Sequence, residues 1–573
     1  MKFRRDQISA QILSAAVLFA VACTPDQRGE DELPGSSGDP APDDDDDVGD
    51  PGDDDDDDNQ GSDSEDTEVS NGGPEASCEE TKIGPRLIRR LTRREIANTM
   101  IDVFPEFASM WGGVLMAPDS VGGRGKYLND HSLKFGKQTT GDLLSSAEDM
   151  ASLVASRLET VLPCAAESPD ENCADELIDR YGYRLFRRPL SSSDKARYLD
   201  LFATIRNDAD FETAVKWVLV ALIESPHTVY RRETGEATDD GYRLTQFELA
   251  SALAYTFSNS APDAALLERA ARGDLADGGV LIAEAKRLLT SERGKEVMIE
   301  FFRGWIHYDH VVAENKTNVP EFVQVREAMI AETEAYINEV IYAREGTVQD
   351  LLTASYTVVD PQLAQFYGMS TIGDSEFVVT QRDHGLGLLA LGSVLASRSQ
   401  SVSSSPTQRG LLVLERLLCG ERIDPPQEIP EITPPEPGEY TTRERYETLH
   451  AADPLCKSCH STFDPMGFGF EHWDEAGRYR ADESGLEIDA SGDILLAGST
   501  LGTFDDQEDM AQTLAELPQV IDCVGAQAAY YAFGGIDDCL ASQAARDALR
   551  AGEMGLLDFV ASLVHAPHFV RRK

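Results

Sequence analysis

The sequence predicts a mostly α-helical body in several segments, carrying a small β-hairpin and preceded by an acidic tail that cannot build a core. Three observations predict it. Apolar residues recur at helical spacing through most of the chain after residue 78. Four segments open with Ser or Thr followed three residues later by an acid, the pairing in which two side chains satisfy free amides of a helix's first turn. The stretch "GLEIDASGDILLAGST" (485–500) alternates and turns, the likeliest β structure in the body, with its turn expected at Ser491-Gly492.

At 573 residues the chain exceeds what one core can hold. It divides into 1–23, a signal; 24–77, a linker; 78–160 and 161–236, two helical segments; 237–380, a central helical domain; 381–482, a segment with a Cys/His motif; and 483–573, a C-terminal hairpin and helical segment.

The start, "MKFRRDQISAQILSAAVLFAVAC", joins Lys2, Arg4 and Arg5 to an apolar run from Ile12 to Ala22, too short to span a bilayer. Ala20 and Ala22 before Cys23 fit a lipoprotein cleavage site, after which a lipidated Cys23 would anchor the chain to a membrane. The alternative is an ordinary secretory signal. Either exports the protein to the cell envelope, periplasm or outer surface.

Residues 24–77 hold 22 acidic side chains against one basic, including the runs Asp43 to Asp47 and Asp53 to Asp58. Such a stretch repels itself and is expected as a disordered, solvated spacer. The net charge is −51, and the body remains acidic without the spacer. That charge disfavours nucleic acid and anionic membrane surfaces and suits a basic protein partner.

The four helix starts are Thr92–Glu95, Ser191–Asp194, Thr245–Glu248 and Thr441–Glu444. Two echoes recur: Arg90-Leu91-Thr92-x-x-Glu95-x-Ala97 matches Arg243-Leu244-Thr245-x-x-Glu248-x-Ala250, and "SPHTVYRRE" at Ser225 matches "APHFVRRK" at Ala566. They read as reused helix starts and ends, because no fixed period recurs. Arg86, Arg89, Arg90, Arg93 and Arg94 are expected to pair with carboxylates between helices. The proline-rich stretch from Asp424 to Pro437 reads as an extended connector.

Nine cysteines suit an exported chain. Short loop closure pairs Cys164 with Cys173 and Cys523 with Cys539, leaving Cys78 and Cys419 as a long-range staple.

Cys456, Cys459 and His460 lie in "LCKSCHSTFDPMGFGFEHWD" (455–474). CxxCH sets two thiols one helical turn apart, as thioether bonds to two haem vinyl groups require, with the adjacent imidazole under the iron as proximal ligand. A structural zinc would want a second ligand pair at finger spacing, and a redox disulfide a βαβ setting; neither is in the sequence. One covalent haem c on Cys456 and Cys459, with His460 on the iron, is the expectation. Asp464-Pro465 is expected to turn the chain. Gly467 and Gly469 would allow close backbone approach, while Phe463, Phe468, Phe470 and Trp473 would wall a pocket or simply pack the core. The sixth iron position stays open among Met466, His450, His472 and Met510.

"SPTQRGLLVLERLLCG", the proline-rich stretch and "LHAADPLCKSCHSTFDPMGFGFEHWDEAGRYR" together resemble the planctomycete-type cytochrome c proteins, a chain of domains of unknown function. "RRLTRREIANTMIDVF", "YGYRLFRRPLSSSDKARYLDLF", "RLLTSERGKEVMIEFFRGWI" and "CVGAQAAYYAFGGIDDC" resemble its other segments, so the likeness covers nearly the whole body. It implies exported or surface-anchored proteins with one covalent haem on Cys456 and Cys459 and His460 as proximal ligand, and no known reaction. Relatives read Leu or Ile at Met466 and Asn at His472, which speaks against Met466 as a ligand.

The leading expectation is an exported, lipid-anchored monohaem cytochrome that exchanges electrons with a redox protein partner. Its rivals are a haem peroxidase or oxidase acting on extracellular material, and a surface binding protein in which the haem is structural. The sequence shows no nucleophilic triad, phosphate loop or dinucleotide fingerprint.

Overall fold

All four helix starts form as reciprocal caps in a computed structural model of the protein, which describes residues 83–119, 127, 133–370, 377–421, 439–449, 454–534 and 543–573. Thr92 opens the helix Arg93–Val103, Ser191 opens Ser192–Arg206 and Thr245 opens Gln246–Ser258. Thr441 and Glu444 exchange the same pair of bonds at the head of Thr442–Leu449. Each cap settles two amides that a helix end would otherwise leave without partners.

The sequence echoes become two copies of one closure. The strand Leu87–Arg90 runs into the Thr92 helix and pairs antiparallel with Tyr230–Glu233, Arg90 opposite Tyr230. Gly241–Arg243 runs into the Thr245 helix and pairs with Arg571–Arg572 in the equivalent register, Arg243 opposite Arg571. The Leu91 amide donates to the Val229 carbonyl and the Leu244 amide to the Val570 carbonyl, each at 3.0 Å. In both copies a short helix with proline in its first turn, Pro226–Val229 or Pro567–Val570, turns the chain into the returning strand. Each half of the body therefore ends where it began.

In the first half the helix Phe211–Ile223 packs against Lys137–Ser156 and Ser192–Arg206. Its run "VLVALI" is apolar throughout because neighbours cover it on more than one side. In the second half one continuous apolar core runs from Leu244 to Phe569. It takes in Trp305 from Glu292–Ile306, Phe463 and Met466 from Pro454–Phe468, and Phe559 from Leu556–Ser562, so the CxxCH helix rests on the same core as the central helices. No described helix is long and apolar enough to cross a membrane.

Three of the five clustered arginines meet carboxylates as expected, whereas the Arg93 and Arg86 side chains donate to the backbone carbonyls of Val114 and Thr234 instead. Arg94 pairs with Glu300 at 2.9 Å, Arg90 with Asp119, and Arg89 faces Glu233 at 3.8 Å. Cys164–Cys173 forms, joining Cys164–Glu167 to Glu171–Phe186.

Cys523 departs from the expectation. It bonds to Cys419, with Cα atoms 5.4 Å apart, so neither Cys523–Cys539 nor Cys78–Cys419 can form alongside it. The reason is tertiary packing. The helix Pro518–Ala532 lies against the π-helical turn Val413–Leu417, and that contact sets the two thiols together despite a loop far longer than the one favoured by closure entropy.

The β structure is also richer than expected. The predicted hairpin divides into Asp482–Glu483 with Leu486–Glu487, and Gly492–Leu496 with Ser499–Phe504. The longer one turns at Ala497-Gly498, both at positive φ (49° and 77°) as a tight two-residue hairpin turn requires. Ser491-Gly492 instead starts a strand. Asp489 ties the Ser491 amide, and a Cβ on Gly492 would strike the Pro465 carbonyl oxygen. Tyr356–Val359 pairs antiparallel with Val378–Gln381 across a connection that holds the helix Pro361–Phe366, a strand pair the sequence did not predict. The signal, the acidic linker, Cys23, Cys78, His450, Cys539 and the connector from Asp424 to Pro437 lie outside the described residues.

Candidate functional site

Cys456, Cys459 and His460 stand on the helix Pro454–Phe468, which continues through Pro465 where a turn was expected. Proline in a helix interior loses a backbone bond and normally bends or ends the helix. Here neighbours hold both sides: Pro406–Leu412 packs on one and the strand Gly492–Leu496 on another.

The crossing with Pro406–Leu412 is close because both helices have glycine there. A Cβ on Gly410 would lie 1.9 Å from the Phe463 carbonyl oxygen, and one on Gly467 would lie 1.9 Å from that of Pro406. Gly467 thus does what its position promised, and Gly469 lies close against Phe504 and Met510.

Both thiols are half-buried and bonded to no other cysteine. Cys459 leans on the core. Behind them, His460 Nδ1 donates to Asp464 Oδ2 at 2.8 Å. Thr407, reaching across from Pro406–Leu412, donates to Asp464 Oδ1 at 2.8 Å and lies 3.2 Å from His460 Nδ1. The Phe463 ring meets the imidazole edge-on with centroids 5.2 Å apart, and Tyr446 flanks it at 6.3 Å. Tyr446 is pushed up in pKa by burial, its hydroxyl held at Ser405 and Thr407. With Nδ1 facing the carboxylate, Nε2 is the nitrogen that a metal would use.

A buried arginine fixes the end of this helix. Arg409 Nη1 donates to the Phe470 and Trp473 carbonyls and Nη2 to that of Asp474, all at 2.8 Å. Burial pulls its guanidinium down to about 10. Phe463, Phe468, Phe470 and Trp473 are all buried, and three of them belong to the main core.

Among the described residues, three candidates for a sixth ligand have surroundings of their own. Met466 is fully buried in the core, six residues beyond His460 on the same helix, a spacing that turns it about 120° away. Met510 is equally buried and packs on Gly469. His472 Nδ1 donates to the Arg480 carbonyl at 3.0 Å, its ring stacked on Tyr479.

Three residues that shape the site escaped the sequence reading: Thr407, Asp464 as partner of His460, and Arg409. Asp464 was legible in principle. Once CxxCH is read as helix, the residue four beyond His460 shares its face.

The free, half-exposed thiols and the imidazole with Nδ1 engaged are a donor set that fits covalent haem and its iron.

Three family models match the chain. "Protein of unknown function (DUF1595)" covers residues 173–233, "Protein of unknown function (DUF1592)" covers 244–369, and "Protein of unknown function (DUF1588)" covers 385–483. The first ends at Glu233, where the first closure is complete, and the second starts at Leu244, where the second half begins. No curated protein and no solved structure matches. Three stretches of the chain thus match the planctomycete cytochrome c-like domains of unknown function, with CxxCH, Thr407 and Asp464 inside the last of them.

Proposed function

We propose that the protein is an exported c-type cytochrome, anchored by a lipid on Cys23, that carries one haem and passes single electrons to and from a redox protein partner. The observation that carries this reading is the pairing of two unbonded thiols at CxxCH with a His460 whose Nδ1 is already committed to Asp464. Cys456 and Cys459 would hold the haem, His460 would be its proximal ligand, and the bound haem would supply a one-electron ferric/ferrous couple.

The chain's own residues have the other tasks. Asp464 and Thr407 orient the imidazole, the crossing at Gly410 and Gly467 fixes Thr407 against it, and Arg409 anchors the turn that follows. Two disulfides support an extracytoplasmic setting, where covalent haem attachment also takes place.

The test is expression of the chain in a periplasm competent for haem attachment, followed by pyridine-haemochrome spectra. A c-type α band that Cys459→Ala alters or abolishes is the expected outcome. No band in the parent protein would sink the proposal. A ferric spectrum that shifts on adding cyanide or peroxide would move the reading toward a peroxidase.

A further inference from the structure

We propose that Asp464 is a positioning residue that lowers the reduction potential of the haem by giving the His460 imidazole anionic character, and that Thr407 tempers this effect. The inference rests on the reading of His460 as proximal ligand.

Orientation alone does not call for a carboxylate. A backbone carbonyl or an amide would hold Nδ1–H and fix the tautomer without a buried charge. Here the acceptor is a carboxylate that is 5% exposed, and the ion pairs among the described residues give it one partner, His460. Burying a charge is costly unless it is well bonded, and this one takes both His460 Nδ1–H and the Thr407 hydroxyl. Phe463 and Tyr446 flank the imidazole, which keeps the local dielectric low and strengthens the pull of the carboxylate on the shared proton.

The direction follows from charge. Oxidised haem carries one more positive charge than reduced haem, and an imidazole made more basic by a carboxylate behind it donates more strongly to the iron. Both effects favour the ferric state. Thr407 works the other way: its hydroxyl donates to Oδ1, draws charge from the carboxylate and so weakens its hold on His460. Its Oγ also lies 3.2 Å from Nδ1, within reach of the same proton.

The geometry therefore assigns opposite signs to two substitutions in one network. In Asp464→Asn the acceptor keeps its shape and loses its charge, and the midpoint potential moves positive. In Thr407→Val the carboxylate keeps its charge and loses the competing donor, and the potential moves negative.

The experiment is potentiometric titration of the full chain, matured in a haem-attaching periplasm, for the parent protein and both variants. Pyridine-haemochrome spectra and intact mass first establish covalent haem in each. Shifts of opposite sign are the expected result. Haem-loaded variants with the parent's potential, or shifts of the same sign, would overturn the assignment while leaving the cytochrome reading intact. Absence of haem from the parent protein would remove the cytochrome reading and this inference with it. If Asp464→Asn does not accumulate as folded protein, Thr407→Val decides alone, and an unchanged or more positive potential counts against the role of Asp464.

Discussion

Glu233 closes the first half of the body and accepts a hydrogen bond from Arg572, 339 residues further on, with both side chains 3% exposed. Arg231 also pairs with Glu233 and, by the echo of the two closures, occupies the position in the first half that Arg572 occupies in the second. One carboxylate thus ties the ends of both halves together, with Arg89 as a third cation 3.8 Å away.

Loss of that charge should be severe. Burial alone would raise the Glu233 carboxyl, but the guanidinium groups of Arg231, Arg572 and Arg89 outweigh it and hold the group well below the usual carboxylate range. Glu233→Gln leaves buried cations without their shared anion and should cost about 3–5 kcal/mol in urea unfolding. Because the folded pKa is depressed, the charge contributes fully above about pH 4.5 and is lost only as pH falls through the strongly acidic range. A loss under about 1 kcal/mol would mean that the ion cluster contributes little.

Two histidines should make stability fall in mild acid. His568 is pushed down to about 4 by burial and by Arg572, and His227, its counterpart in the first closure, to about 4 by burial and Arg188. Both stay neutral in the fold and take up protons on unfolding below about pH 6.5. Their contribution is complete above that value and lost as pH falls toward 4, by about 1–2 kcal/mol each at pH 5. Unfolding midpoints measured from pH 7 to 4 should decline, and less steeply when His227→Gln and His568→Gln are combined. An unaltered slope in the double variant would assign the decline to other groups.

Cys419–Cys523 should be the more stabilising of the two disulfides described, because it closes a separation of 104 residues against 9 for Cys164–Cys173. Its loss in Cys523→Ala should cost about 2–4 kcal/mol. Peptide mapping without reduction should recover one cross-linked fragment containing both residues. A fragment joining Cys523 to Cys539 would restore the pairing that loop length favours.

What the sequence disclosed follows from the range of the forces involved. Thr92, Ser191, Thr245 and Thr441 were legible because a cap is made by residues three apart. The echoes at Arg90 and Arg243 were visible as letters, but their meaning was not: only pairing with Tyr230 and Arg571 makes them two copies of one closure. The partner of Cys523 was not legible because loop-closure entropy depends on separation along the chain, whereas the packing of Pro518–Ala532 on Val413–Leu417 does not. CxxCH points to covalent haem through spacing alone. Thr407 could not be found that way, since it stands 53 residues before His460 and reaches it only across a helix crossing.

That crossing yields the last prediction. A methyl group on Gly467 would have to displace the Pro406 backbone, not a flexible side-chain end, and the two helices cannot separate without drawing Thr407 away from Asp464. Gly467→Ala should therefore cost about 1–3 kcal/mol or more and lower the yield of covalently bound haem. Gly141, inside Lys137–Ser156 with nothing within 4 Å of its missing Cβ, provides the contrast. Gly141→Ala should stabilise the chain by about 0.5–1 kcal/mol, since alanine loses less backbone freedom than glycine on entering a helix. Urea unfolding and haem yield, compared for the two variants, separate close approach from a general effect of glycine replacement. Equal behaviour would mean that the helices at Gly467 can part without consequence.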